Sequence, residues 1–198
     1  MTGVGAFEAI VLAAGSGSRF GGGKLLAPYA GGVLLDSALA AAFAAPVRTV
    51  IVVTGADGEA VAAAARACPA VDGRLRLVHA QDHAEGMGAS LRRAAAELGP
   101  DCAGAFVLLG DMPRIPHAVF APLIEAVRAG APAAAPVFDS QRGHPALIGA
   151  ALLPRLLTLQ GDAGARAILK GLGDRLALIE APDDGVLFDV DERGDLPA

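Results

Sequence analysis

The chain has 198 residues, 54% of them hydrophobic, with 26 glycines, 13 prolines, two cysteines and a formal net charge of −5. That size and apolar share predict one domain with a substantial core, spanning residues 1–198. An acidic balance without a Lys/Arg run argues against a nonspecific nucleic-acid binder, and no apolar window of about 18 residues offers a membrane span.

The start lacks a basic segment running into a long apolar stretch, so the cytoplasm is the expected compartment. Aromatic residues make up only 4% and Trp is absent, so Ala, Leu and Val must build the interior. In chain order, the pattern predicts a strand over 9–12, a glycine-rich loop, a helix over about 35–44, a strand over 49–53 and a helix over about 58–67. A strand over 75–78, a helix over 87–98, a strand over 105–109 and a helix after Pro116 follow. Beyond Gly130 come a strand over 133–137, an edge strand or hairpin over 142–148, and helices over about 152–158 and 163–169. Short strands are expected over 176–180 and 186–188. This alternation argues for the α/β class, a mostly parallel sheet covered on both faces with its strand ends on one rim. Cys68 and Cys102 have neither metal-type nor C-x-x-C spacing and read as small core residues.

The first strand ends in Leu12-Ala13-Ala14-Gly15, and the loop behind it carries Arg19 and Lys24 among glycines. Residues without bulk let backbone N–H groups turn around an anion, and the two cations suit a triphosphate. A Walker A loop is excluded, because Ser18 stands where its first glycine belongs and Leu25 follows the lysine. A dinucleotide fingerprint fails at Phe20. The plain alternative is a flexible surface loop.

Five later segments carry chemistry. Glu85-Gly86-Met87-Gly88-Ala89-Ser90 opens a helix, where small residues admit a base or ribose and Ser90 can donate or accept a hydrogen bond; ordinary helix capping is the alternative. Asp111 emerges from a wholly apolar strand in Gly110-Asp111-Met112-Pro113 and suits Mg2+, though it could also be a turn aspartate. Arg142, His144 and Arg166 offer donors for a phosphomonoester and a polar heterocycle. In an extended chain Asp189 and Asp191 share a face and could meet one metal; otherwise they form a solvated acidic tail. His79, His83 and His117 are assigned no chemistry.

Leu12-Ala13-Ala14-Gly15-Ser16-Gly17-Ser18-Arg19-Phe20-Gly21, followed by Lys24-Leu25-Leu26 and Pro28, resembles the signature of the MobA-like nucleotidyltransferases. Arg142-Gly143-His144-Pro145 and Gly161-Asp162-Ala163-Gly164-Ala165-Arg166 are similar to motifs of its molybdenum cofactor cytidylyltransferase branch. The resemblance covers about 9–191 and implies a Rossmann-like three-layer α/β/α nucleotidyltransferase fold, with a nucleotide half near 1–115 and an acceptor half near 116–198.

It further implies transfer of CMP from CTP to the phosphate of molybdopterin or molybdenum cofactor, with Mg2+ as cofactor and a recipient molybdoenzyme as a further partner. Arg19, Lys24 and Asp111 would be catalytic, and Leu12, Ala13, Ala14, Gly15, Gly86 and Ser90 would join them around the nucleotide. Arg142, His144, Asp162 and Arg166 would bind the acceptor, and Asp111 with Asp189 or Asp191 the metal. A guanylyltransferase, a sugar- or polyol-phosphate transferase and a cofactor-carrying chaperone remain as rivals. Two departures stand out: the triple glycine Gly21-Gly22-Gly23, expected to loosen the loop, and Glu192-Arg193 in place of the usual threonine and proline.

Overall fold

A computed structural model describes residues 5–196; the outermost residues of the expected 1–198 span lie outside the described residues. The strands are β1 (Phe7–Ala13), β2 (Pro28–Tyr29), β3 (Gly32–Val33), β4 (Val50–Thr54), β5 (Leu75–His79), β6 (Gly104–Leu109), β7 (Ala133–Phe138), β8 (Gln141–Arg142), β9 (Ala146–Gly149) and β10 (Leu176–Glu180). The helices are α1 (Leu34–Ala44), α2 (Gly58–Ala67), α3 (Met87–Ala95), α4 (Phe120–Arg128), α5 (Leu153–Leu156) and α6 (Ala165–Lys170).

The main sheet runs β10-β7-β9-β6-β1-β4-β5, with β8 hairpinned onto β7. β6, β1, β4 and β5 pair in parallel, as do β7 and β10, whereas β9 is antiparallel to both neighbours. Period-two alternation divides the apolar strands between two cores. Ala9, Val11, Val50, Val52, Phe106 and Leu108 pack with α1, α2 and α4 on one face. On the other face Ile10, Ile51, Val53, Ala105 and Val107 pack with α3, α5 and α6. The three-layer α/β/α arrangement and mostly parallel sheet agree with the sequence expectation. Among the described residues no helix is long and apolar enough to cross a membrane.

Three local expectations change. The 142–148 segment contributes an interior strand, since β9 lies between β6 and β7 and is buried along its whole length. Residues 186–188 form no strand; a 3-10 turn at Asp184–Val186 leads into irregular extended chain. Helix α3 stops at Ala95 rather than near 98; Glu97 and Leu98 continue in i→i−3 turns, their N–H groups donating to the Ala94 and Ala95 carbonyls at 3.0 and 3.3 Å, ahead of Gly99-Pro100.

Candidate active site

Parallel β6, β1 and β4 end side by side, and Asp111, the glycine loop and Gly55 follow directly from that rim. Leu12, Ala14, Gly15 and Ser16 at the end of β1 face Gly86, Met87 and Ser90 across a cavity of about 540 Å³, with Asp111 and Asp162 also on its lining. Ala13 points instead into the core, where it is buried.

The glycine loop behind β1 is a defined turn. Gly21, Gly22 and Gly23 have φ of 90°, 91° and 62°, a region where a Cβ is strained. Phe20 N–H and Gly22 N–H both donate to the Gly17 carbonyl, at 3.0 and 3.1 Å. The triple glycine therefore supports a specific path rather than a loose loop, and that path delivers Lys24. Lys24 Nζ donates to Asp111 Oδ2 at 2.6 Å and lies 3.6 Å from Asp191 Oδ1. Arg19 Nη1 lies 3.4 Å from Asp191 Oδ2 at the exposed margin.

A small third core brings the C-terminal carboxylates here. Val190 is buried with Phe20, Ala27 and Leu34, and its N–H donates to the Asp111 carbonyl at 3.0 Å. Arg193 lies 4.8 Å over the Phe20 ring, while Asp195 Oδ2 accepts from the N–H groups of Asp191 and Glu192 at 2.8 and 2.7 Å. The Glu192-Arg193 departure thus has its own anchor onto the glycine loop. Loss of solvent around the Asp189 carboxyl, with the charges of Asp191 and Asp111, pushes its pKa up, although the residue as a whole is exposed.

Among the described residues no three His, Cys, Asp or Glu side chains are assembled as a metal cage. The expected metal residues are nonetheless neighbours: the charges of Asp111 and Asp191 both act on the Asp189 carboxyl. Like-charged carboxylates repel, and here the Lys24 ammonium stands between two of them. Asp111 and Asp191 could hold a divalent ion through the same hard oxygens that grip this ammonium.

A second cavity of about 570 Å³ adjoins the first, sharing Met87, Leu109 and Asp162 with it. Arg142, His144 and Arg166 line it, so the sequence-predicted acceptor residues do converge. Neither Arg142 nor Arg166 is ion-paired among the described residues. Burial, and then the neighbouring Arg166 charge, lower the Arg142 pKa, so an anion between the two guanidiniums would relieve repulsion. Burial also lowers the His144 pKa, and its Nδ1 is enclosed without a hydrogen-bond partner.

The two cavities are braced against each other. Gly88 N–H donates to the Gly161 carbonyl at 2.8 Å, and a Cβ on Gly86 would lie 2.5 Å from Asp162 Oδ1. Arg92 Nη1 donates to the Leu159 carbonyl at 2.7 Å while its Nη2 holds Asp82, which depresses the Asp82 carboxyl pKa. Sequence reasoning missed two residues here, Arg92 and His83. Arg92 had no motif to mark it; His83 lies on the first cavity, and the scarcity of aromatic rings was the available signal.

Residues 9–177 match the MobA-like NTP transferase domain. Nicotine blue oxidoreductase of Paenarthrobacter nicotinovorans is 34% identical, covering 92% of this chain and 90% of that protein. The molybdenum cofactor cytidylyltransferase of Escherichia coli K12 is 26% identical, covering 96% and 93%. Among solved structures, Rv0371c of Mycobacterium tuberculosis H37Rv superposes with a TM-score of 0.81 at 26% identity, covering 97% of this chain and 96% of that one. A manganese complex of the same mycobacterial protein superposes with a TM-score of 0.71 at 26% identity, covering 89% and 88%.

Proposed function

The chain belongs to the MobA-like NTP transferase family, and we propose that it joins CMP from CTP to the terminal phosphate of molybdopterin, bare or carrying molybdenum, with release of pyrophosphate. The observation that carries this reading is the continuity of the two cavities across Met87, Leu109 and Asp162. One has glycine-rich walls and a lysine–carboxylate cluster at its margin; the other holds two unpaired guanidiniums and a polar imidazole. A nucleoside triphosphate and a phosphorylated heterocycle need those two surroundings side by side. The E. coli relative named as a cytidylyltransferase supports the choice of base and acceptor.

In this reading Lys24 and Arg19 leave their carboxylates and bind the β- and γ-phosphates. Small residues at Ala14, Gly15 and Gly86 let the nucleoside approach the backbone, and Ser90 hydrogen-bonds it. Arg142 and Arg166 hold the acceptor phosphate, while His144, kept neutral by burial, offers Nδ1 to a donor on the heterocycle. Asp111 and Asp191 would hold a divalent ion such as Mg2+, which would supply charge neutralisation for the phosphates. An acceptor phosphate oxygen forms the new bond to the α-phosphorus as the α–β bridging bond breaks and its electrons leave with pyrophosphate. Positioning and charge neutralisation carry the rate, and no protein nucleophile takes part.

The 34% identity to nicotine blue oxidoreductase favours a second reading, a redox role. Against it, Phe20 stands where a dinucleotide fingerprint needs glycine, and a hydride-transfer site has no use for the Lys24–Asp111–Asp191 cluster. One experiment separates the readings. The protein is incubated with Mg2+, molybdopterin and each labelled nucleoside triphosphate in turn, and the dinucleotide product and pyrophosphate are measured. A parallel arm follows oxidation of reduced nicotinamide cofactor with a quinonoid dye. A cytosine dinucleotide supports the proposal; a guanine product, turnover of a sugar phosphate alone, or dye reduction without pyrophosphate would each refute it.

A further inference from the structure

We propose that His83 is the residue that sets which nucleobase this site admits, by walling off the far end of the nucleotide cavity so that a pyrimidine fits and a purine does not. The inference rests on the nucleotide reading above and adds a determinant that no motif of the chain marks.

Going outward across the rim, the strand order is β6, β1, β4, β5. Asp111 follows β6, and Gly55 follows β4, two inter-strand steps or roughly 10 Å away. Phosphate charge belongs at the end of Asp111 and Lys24, so the uncharged base lies toward Gly55. His83 stands there. A Cβ on Gly55 would lie 2.8 Å from His83 Cγ and 2.4 Å from the Ala14 carbonyl, so only glycine lets the ring lie against the β4 end.

His83 is also the only aromatic side chain on the 540 Å³ cavity among the described residues. It is the sole residue shared with a larger outer cavity of about 930 Å³, lined also by Arg66 and His79. The imidazole is thus the partition between the two spaces. Its neighbour His79 meets it edge-on at 6.4 Å between ring centroids and is itself tied to buried Thr54 Oγ1 at 3.2 Å. Packed between Gly55 and His79, the ring stands where a second base ring would extend. Steric exclusion of the wrong partner discriminates more steeply than a missing apolar contact can.

The test is equilibrium competition of CTP, UTP, ATP and GTP against a fluorescent cytidine triphosphate analogue, with Mg2+, on the parent protein and three variants. In His83→Ala the partition is gone and the two cavities join. The CTP-to-GTP affinity ratio should fall by about tenfold or more, with GTP binding gained as CTP binding weakens. His83→Phe keeps a ring and should keep the ratio. His83→Asn shortens the wall and should move the ratio in the same direction as alanine, which preserves the test if the alanine variant folds poorly. The backbone bonds of residue 83, its N–H to Ala80 and its carbonyl to the Gly86 N–H, do not involve the side chain. An unchanged ratio in His83→Ala and His83→Asn, with parent binding intact, overturns the role of His83 alone. A parent protein that prefers purines also overturns it. A parent that binds no nucleoside triphosphate removes the nucleotide reading beneath it.

Discussion

Replacing Lys24 by methionine should move metal affinity and nucleotide affinity in opposite directions. Methionine keeps the unbranched stem and deletes the ammonium. In the free protein that ammonium sits 2.6 Å from Asp111 Oδ2 and 3.6 Å from Asp191 Oδ1, with only 13% of the lysine side chain and 22% of the Asp111 side chain exposed. A hydrogen bond between charged, partly buried groups contributes about 1.5–3 kcal/mol. The longer pair to Asp191, whose side chain is 49% exposed, adds about 0–1 kcal/mol. An ion binding the free protein must first displace this ammonium, so its affinity is held down by about 1.5–3 kcal/mol, or roughly 10- to 100-fold. Lys24→Met removes the competitor: Mn2+ without nucleotide should bind about 10- to 100-fold more tightly, while CTP affinity falls by a comparable factor. Electron paramagnetic resonance of free Mn2+ reads the first quantity and calorimetry the second. Equal Mn2+ affinity in parent and variant would falsify the picture of Lys24 as a cation standing in the carboxylate site.

Three further outcomes follow from the same geometry. Asp111→Asn keeps an acceptor for Lys24 but loses the charge; near-normal thermal unfolding with turnover reduced about a hundredfold or more is expected, whereas lost stability with unaltered metal dependence would make Asp111 a structural turn residue. His144 is held below its ordinary pKa of 6.5 by burial, so the unfolded chain takes up a proton that the folded one refuses. The resulting stability is present above about pH 6.5 and drains away as pH falls through the folded pKa; thermal unfolding at pH 7.5 and 5.5 should show a smaller acid loss in His144→Gln than in the parent, and equal losses would contradict the assignment. A Cβ at Gly88 would meet the carbonyl oxygens of Gly161, Gln160 and Ala163 at 2.7, 3.0 and 3.1 Å, so Gly88→Ala should cost about 1–3 kcal/mol in denaturant unfolding. A variant as stable as the parent would mean that the brace between the two cavities is slack.

Local patterns carried much of this protein. Continuous apolar runs at Val50–Thr54 and Gly104–Leu109, separated by alanine-rich helices, specify strands buried on both faces, and hence a parallel α/β sheet. The glycine loop and Asp111 were legible because glycine-rich or charged residues interrupt those runs where strands must end, whereas the Arg142 and Arg166 segments were legible through their resemblance to family motifs. Other features depend on partners distant in the chain. Ala146–Gly149 reads alike as an edge or an interior strand, and only its flanking by β6 and β7 decides. Asp191 reaches Lys24 because Val190 packs against Phe20 and Leu34. His83 becomes a wall because Gly55, just past β4, leaves room for its ring. Sequence spacing encodes burial and backbone preference along one segment, but which segments meet is settled by packing, where each contact is made by two partners that carry no mark of one another.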